Sequence, residues 1–121
     1  RRVYTVERHR KLARSAEQRL AQQRVTNATV ITGDVCFGLA EQAPFDRIIL
    51  SCAAEDAPST LLDQLRPGGI MVLPVGQSDE VQQLIRIQKT DEGLNYRELS
   101  EVLFVPLVAG MPEDQGPNPG R

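Results

Sequence analysis

The chain has 121 residues, enough to bury a core of its own without disulfides or metal. Apolar residues make up 40% and charged residues 25%, an ordinary globular balance, and no apolar run approaches the ~20 residues of a membrane span. A formal net charge of −2 gives no overall electrostatic case for nucleic acid or an anionic membrane, so neither is expected as a partner. The charge is uneven all the same: residues 1–24 carry eight Arg/Lys against two Glu, and the remainder six against fourteen acids. Cys36 and Cys52 are too few for a disulfide framework or a metal site, so no metal is expected and a reducing, cytoplasmic setting is the default. No signal-peptide pattern opens the chain. It starts Arg1-Arg2-Val3 without Met and runs straight into a strand-like segment, which points to the C-terminal portion of a longer protein.

In chain order, Val3-Tyr4-Thr5-Val6-Glu7 is a β-branched and aromatic run that predicts a strand ending on an acid. A helix is predicted over 8–23, with Leu12, Ala13, Ala16, Leu20 and Ala21 on one face and Arg10, Arg14, Glu17 and Arg19 on the other. Asn27 marks a turn. Thr29-Val30-Ile31-Thr32 is a second strand, stopped by Gly33-Asp34. This alternation predicts βαβ units and a parallel sheet. Residues 35–45 form a connector with Gly38 and Pro44 and room for one turn of helix. The third strand is predicted over 46–51, its Ile48-Ile49-Leu50 run implying burial on both faces.

Pro58 opens a short helix over 59–66 with Leu61, Leu62 and Leu65 inside, and Pro67-Gly68-Gly69 ends it. A fourth strand covers 70–75. Residues 81–89 and 94–107 are extended and joined by Thr90-Asp91-Glu92-Gly93, with Gly93 in the left-handed position. An antiparallel hairpin added to a parallel sheet is the most informative architectural clue. The domain is expected over 1–108, and 109–121, rich in Pro and Gly, as a disordered tail.

Two acids stand out chemically. Glu7 at a strand's carboxyl end, directly before a helix, can accept hydrogen bonds from both hydroxyls of a ribose. It can equally be a helix-start acid that favours the positive end of the dipole. Asp34 occupies the equivalent place after the second strand, where a carboxylate can accept from an exocyclic amine such as adenine N6; taken alone, a turn aspartate held by local amides is the commoner use. Ligands bind at this edge of open α/β sheets, so the pair together points to a nucleoside site. Other residues carry less. His9 is expected as a surface histidine, Cys36 and Cys52 as small packed residues, and the basic helix face as solvated surface. Ser51 has no G-x-S-x-G context, and G-x-G-x-x-G is absent.

Several segments, in this order, resemble the protein-L-isoaspartate O-methyltransferase family. They are Val3-Tyr4-Thr5-Val6-Glu7-Arg8, Gly33-Asp34, Ala43-Pro44-Phe45-Asp46-Arg47-Ile48-Ile49 and Leu61-Leu62-Asp63-Gln64-Leu65-Arg66-Pro67-Gly68-Gly69. Val72-Leu73-Pro74-Val75-Gly76 and Phe104-Val105-Pro106-Leu107 complete the set, and the likeness covers 3–108. The glycine pair and the acidic strand end occur in many S-adenosylmethionine-dependent methyltransferases; the P-V-G and F-V-P-L elements are more specific.

The resemblance implies an α/β, Rossmann-like methyltransferase sheet with an antiparallel edge hairpin. It also implies transfer of a methyl group from S-adenosyl-L-methionine to the carboxylate of isoaspartyl residues in damaged proteins, a repair step. By the same resemblance Glu7 holds the cofactor ribose with Arg8 beside it, Asp34 and the backbone of Val35 read the adenine, and Val108 lies near the cofactor. No catalytic acid or base is required, because a carboxylate of reference pKa about 4 is already ionised at neutral pH.

The chain departs from the family pattern in three places. Gly33-Asp34-Val35 stands where members read G-D-G, so a Cβ crowds the adenine edge. Ser51-Cys52-Ala53-Ala54-Glu55-Asp56 lacks the usual Pro before its acid. The family's glycine-rich cofactor loop, its preceding strand and the substrate segment all lie upstream of Arg1. In the family that strand is central, flanked by those matching 3–7 and 46–51. Either these two strands therefore pair directly, or a further element completes the sheet, through another segment, a homo-oligomer or strand exchange. The 121-residue chain alone is expected to be inactive. Three alternatives stay open: a methyltransferase with another substrate, a nicotinamide-dinucleotide domain, which the hairpin disfavours, and a non-catalytic module that has lost the cofactor site.

Overall fold

The computed structural model describes residues 1–77 and 79–112. They form two compact units, one made of Arg1–Val35 with the segment that begins at Ala109, the other of Cys36–Val108.

The first unit is a βαβ arrangement of β1 (Val3–Glu7), α1 (Arg10–Gln22) and β2 (Ala28–Thr32). The strands are parallel and in simple register from Val3 opposite Ala28 to Glu7 opposite Thr32. Helix α1 begins two residues later than the apolar spacing predicts, because His9 keeps an extended backbone (φ −92°, ψ 113°) as N-cap. Of the predicted inner face only Ala13 is buried, and Leu12 is 57% exposed. Two strands offer a single helix too little surface to cover a whole apolar stripe.

In the second unit, two short 3₁₀ turns (Val35–Phe37, straddling the boundary, and Ala40–Gln42) precede β3 (Phe45–Ile49), α2 (Ser59–Asp63), β4 (Leu65–Val75), β5 (Gln82–Thr90) and β6 (Gly93–Val102). The strand order is β3-β4-β5-β6, with β3 parallel to β4 and the remaining pairs antiparallel. The expected hairpin is thus present, and Gly93 at its turn has a φ of +132°. Residues of β4 alternate between the two faces. Leu65, Met71 and Leu73 there join Leu61 of α2 and Ile85 and Ile87 of β5 in one apolar core.

Two expectations need correction. The third strand is not buried on both faces: β3 lies at the sheet edge and Ile49 is 78% exposed, while Leu50 just beyond it turns into the core. Helix α2 stops at Asp63, and β4 already starts at Leu65, opposite Phe45. The Phe45 N–H donates to the Gln64 carbonyl (2.8 Å), and pairing resumes at Ile70 opposite Arg47, so Pro67-Gly68-Gly69 lies in a register shift within the strand rather than ending a helix. Of the two ways in which the sheet was expected to be completed, direct pairing of β1 with β3 is not seen, since they belong to separate sheets.

Buried polar side chains hold the second unit's connections. Across Gly38 (φ +60°), the Gln64 amide accepts from Leu39 N–H and donates to the Phe37 carbonyl, both at 2.8 Å. The fully buried Gln82 accepts from Phe104 N–H (2.7 Å) and donates to the carbonyls of Gln77 (3.1 Å) and Phe104 (3.3 Å). Ala53 exchanges hydrogen bonds with Val105 and Leu107, and Ala54 with Pro74 and Gly76. The F-V-P-L and P-V-G elements therefore both run alongside the Ser51-Cys52-Ala53-Ala54 segment. On the surface, Arg66 donates to Asp46, and this bond, more than the Coulombic attraction, raises the guanidinium pKa above its ordinary value.

Candidate cofactor-binding site

The site is built at the carboxyl ends of β1 and β2. The ladder between them extends one step beyond the strands, with Gly33 N–H donating to the Glu7 carbonyl at 3.0 Å. Glu7 and Asp34 therefore stand at neighbouring strand ends, as their places in the sequence imply. Glu7 Oε1 accepts the His9 N–H at 3.0 Å, so the acid does serve the helix start. Its other oxygen has no partner among the described residues. Arg8 follows directly; its Nη1 lies 3.4 Å from His9 Nε2 and its Nε–H donates to the Gly110 carbonyl at 3.1 Å.

Asp34 is held from a distance along the chain: its Oδ2 accepts the Gly110 N–H at 2.8 Å. Val35 begins the first 3₁₀ turn and is half-buried. Glu7, Arg8, Asp34 and Val35 thus come together in the first unit, whereas Val108 belongs to the second. His9 and Gly110 are participants that sequence reasoning missed. Most of the expected 109–121 tail falls on residues 113–121, which lie outside the described residues. Among the described residues, no three His, Cys, Asp or Glu side chains group closely enough to hold a metal ion. No helix there is long and apolar enough to cross a membrane.

Two carboxylates on adjacent parallel strand ends form a set of hydrogen-bond acceptors. Such a set suits hydroxyl and amine donors on a nucleoside better than a proton-transfer reaction.

The family model for protein-L-isoaspartate(D-aspartate) O-methyltransferase matches residues 1–112. The chain belongs to this family. A protein-L-isoaspartate O-methyltransferase of Dinoroseobacter shibae is 60% identical over 111 residues, covering 92% of this chain and 51% of the relative. One from Roseobacter denitrificans is 57% identical over 114 residues, covering 94% and 54%. The chain thus spans about half the length of the curated relatives it matches. A solved protein-L-isoaspartate O-methyltransferase superposes with a TM-score of 0.80 at 25% identity, over 90% of this chain and 34% of that one. A Plasmodium falciparum protein assigned to the same family, solved with S-adenosyl-L-homocysteine, gives a TM-score of 0.74 at 23% identity over 88% of this chain and 52% of that one. The S-adenosylmethionine-dependent methyltransferase fold is therefore shared.

Proposed function

We propose that this chain carries the nucleoside-binding strand ends of a cytoplasmic, S-adenosyl-L-methionine-dependent methyltransferase that esterifies the free α-carboxylate of isoaspartyl residues, initiating their repair. The observation that carries this reading is the pairing of Glu7 and Asp34 at adjoining parallel strand ends in a member of this family. The residues fit the cofactor. Glu7 has an oxygen to offer ribose hydroxyls, and the Asp34 carboxylate stands at the neighbouring strand end, where it would face the base. Arg8 braces the turn between β1 and α1, and the Val35 backbone flanks the base.

When bound, S-adenosylmethionine would supply an electrophilic methyl group on a sulfonium, with S-adenosylhomocysteine as the leaving group. Because the attacking carboxylate is already ionised, the protein's task is to align it with the methyl and exclude water. Completion of the sheet by a further strand beside β1 or β3 belongs to the same proposal, as each leaves one edge without a strand partner among the described residues.

The test is calorimetric titration of S-adenosylhomocysteine, with NAD as control, into the chain and into a chimera adding the part of the D. shibae relative outside the matched residues. Micromolar binding of S-adenosylhomocysteine alone, weakened at least tenfold by Asp34→Ala, is expected. The chimera is then expected to methylate an isoaspartyl peptide and not its aspartyl counterpart. A chimera that prefers NAD, or binds neither ligand, sinks the methyltransferase site; methylation of another acceptor moves the substrate assignment alone.

A further inference from the structure

The hairpin carries two positive charges that nothing in the second unit answers. Arg86 of β5 and Arg97 of β6 stand directly opposite each other in the antiparallel ladder. Cross-strand partners share a face, so both guanidinium groups project from the same side of the sheet, where like charges repel. It is the side away from the core. The next pair along the ladder, Ile87 and Tyr96, lies on the opposite face, where Ile87 is fully buried. Neither arginine has a hydrogen bond or ion pair among the described residues. The acids of β6 lie on the other face, because Glu98 and Glu101 stand opposite Ile85 and Gln83.

We infer that β6 is a docking edge for an extended acidic peptide segment, which adds as a further strand and sets a carboxylate against Arg97 and Arg86. The strand ends its sheet, so its outward N–H and C=O groups have no strand partner among the described residues. Pairing with β5 is regular from Gly93 to Glu98. A register shift then leaves Leu99 with no opposite residue, a bulge that ends the regular edge. Along that stretch Asn95 and Arg97 lie on one face, and Leu94 (38% exposed) and Tyr96 (56% exposed) on the other. A strand added here meets a cation and an amide on one side and apolar groups on the other, so acidic and apolar residues in alternation fit it. The guanidinium fork matches a carboxylate with two parallel hydrogen bonds. One edge charge suffices to keep other chains away; a second arginine opposite it adds a repulsion that an anion relieves. The inference does not depend on the cofactor assignment.

The test is fluorescence anisotropy on the whole chain with a labelled Glu-Val-Glu-Val-Glu-Val peptide. Beside it stand a block peptide of the same composition, an alternating Lys-Val peptide and a single-stranded oligonucleotide. The alternating acidic peptide is expected to bind best, and less well as salt is added. Arg97→Gln is expected to weaken it by roughly three- to tenfold, and Arg97→Glu to weaken it further. Hydrogen exchange at the outward-facing amides of residues 93–98 is expected to slow when the peptide is bound. A ligand-free readout comes from thermal denaturation. Arg97→Gln is expected to raise the Tm by removing the repulsion, and Arg97→Glu to raise it more by setting an acid opposite Arg86.

Equal binding of the block peptide, or unchanged exchange along β6, overturns strand addition. Tighter binding of the oligonucleotide overturns a peptide as the occupant. Undiminished affinity in Arg97→Gln, or a Tm that falls in that variant, overturns the reading of the two arginines as an unanswered pair. No binding of any probe overturns the docking edge as a whole.

Discussion

In Cys36–Val108, β4 lies between two neighbouring strands and hides Met71 and Leu73 completely, whereas Ala13 is the one buried apolar side chain among the described residues of the unit formed by Arg1–Val35 and the segment from Ala109. The contrast arises from architecture more than composition. Three strands side by side with a helix across them create an interior. Two strands with one helix leave residues such as Leu12 largely in solvent. The groups assigned to the cofactor, Val108 excepted, sit on the thinner unit. What holds them is hydrogen bonding at strand ends rather than a core. Such segments open at low free energy, as ligand-binding regions tend to.

The same truncation made in each unit would test this most directly. Leu73→Ala, at a fully buried position, is expected to cost about 2–5 kcal/mol by urea denaturation. Leu12→Ala, on the exposed side of α1, is expected to stay within about 0.5 kcal/mol. Similar costs at the two sites would mean that the apolar face of α1 is covered in solution, and the contrast between the units would fail.

A polar deletion sharpens the same point. Gln82→Leu keeps most of the volume but removes the side-chain partner of the half-buried Phe104 N–H and of the Gln77 carbonyl. A loss of about 1–3 kcal/mol is expected, with faster hydrogen exchange at the Phe104 amide. Unchanged exchange would show that the F-V-P-L element is held by its bonds to Ala53 alone.

How much of this could be read in advance depended on the distance over which each element is decided. Val3–Glu7 and the hairpin around Gly93 were legible because a β-branched run and a turn glycine are local signals. The end of α2 was not: Leu65 fits a helical spacing from Leu61, and only pairing with Phe45 makes it a strand residue. The exposure of Ile49 likewise follows from which strand lies beside β3, a fact carried by no short segment. At the candidate site, the coming together of Glu7, Arg8 and Asp34 at neighbouring strand ends was legible from their position in the chain. Gly110 was not, because its bond to Asp34 spans 76 residues and a glycine in a Pro- and Gly-rich stretch bears no distinguishing mark.

The smallest expected effect comes from two glycines that differ as the units do. At Gly38, with φ +60°, a Cβ would lie 2.3 Å from Gln64 Oε1 and 2.7 Å from Leu61 Cδ2, so Gly38→Ala is expected to cost about 1–3 kcal/mol. At Gly33 the nearest atom to such a Cβ is Val6 Cγ1 at 3.8 Å, an ordinary contact, and φ is not positive. Gly33→Ala is therefore expected to stabilise the chain by about 0.4–1 kcal/mol, by narrowing the unfolded ensemble. A glycine that the fold does not require, placed between two acids at strand ends, is explained if a ligand approaches the backbone closely there. Thermal denaturation and S-adenosylhomocysteine titration of Gly33→Ala should then move in opposite directions, toward higher stability and weaker binding. A variant that gains stability and binds equally well would show that the ligand keeps its distance from Gly33. A destabilised variant would mean that the end of β2 is more tightly packed than its neighbours indicate.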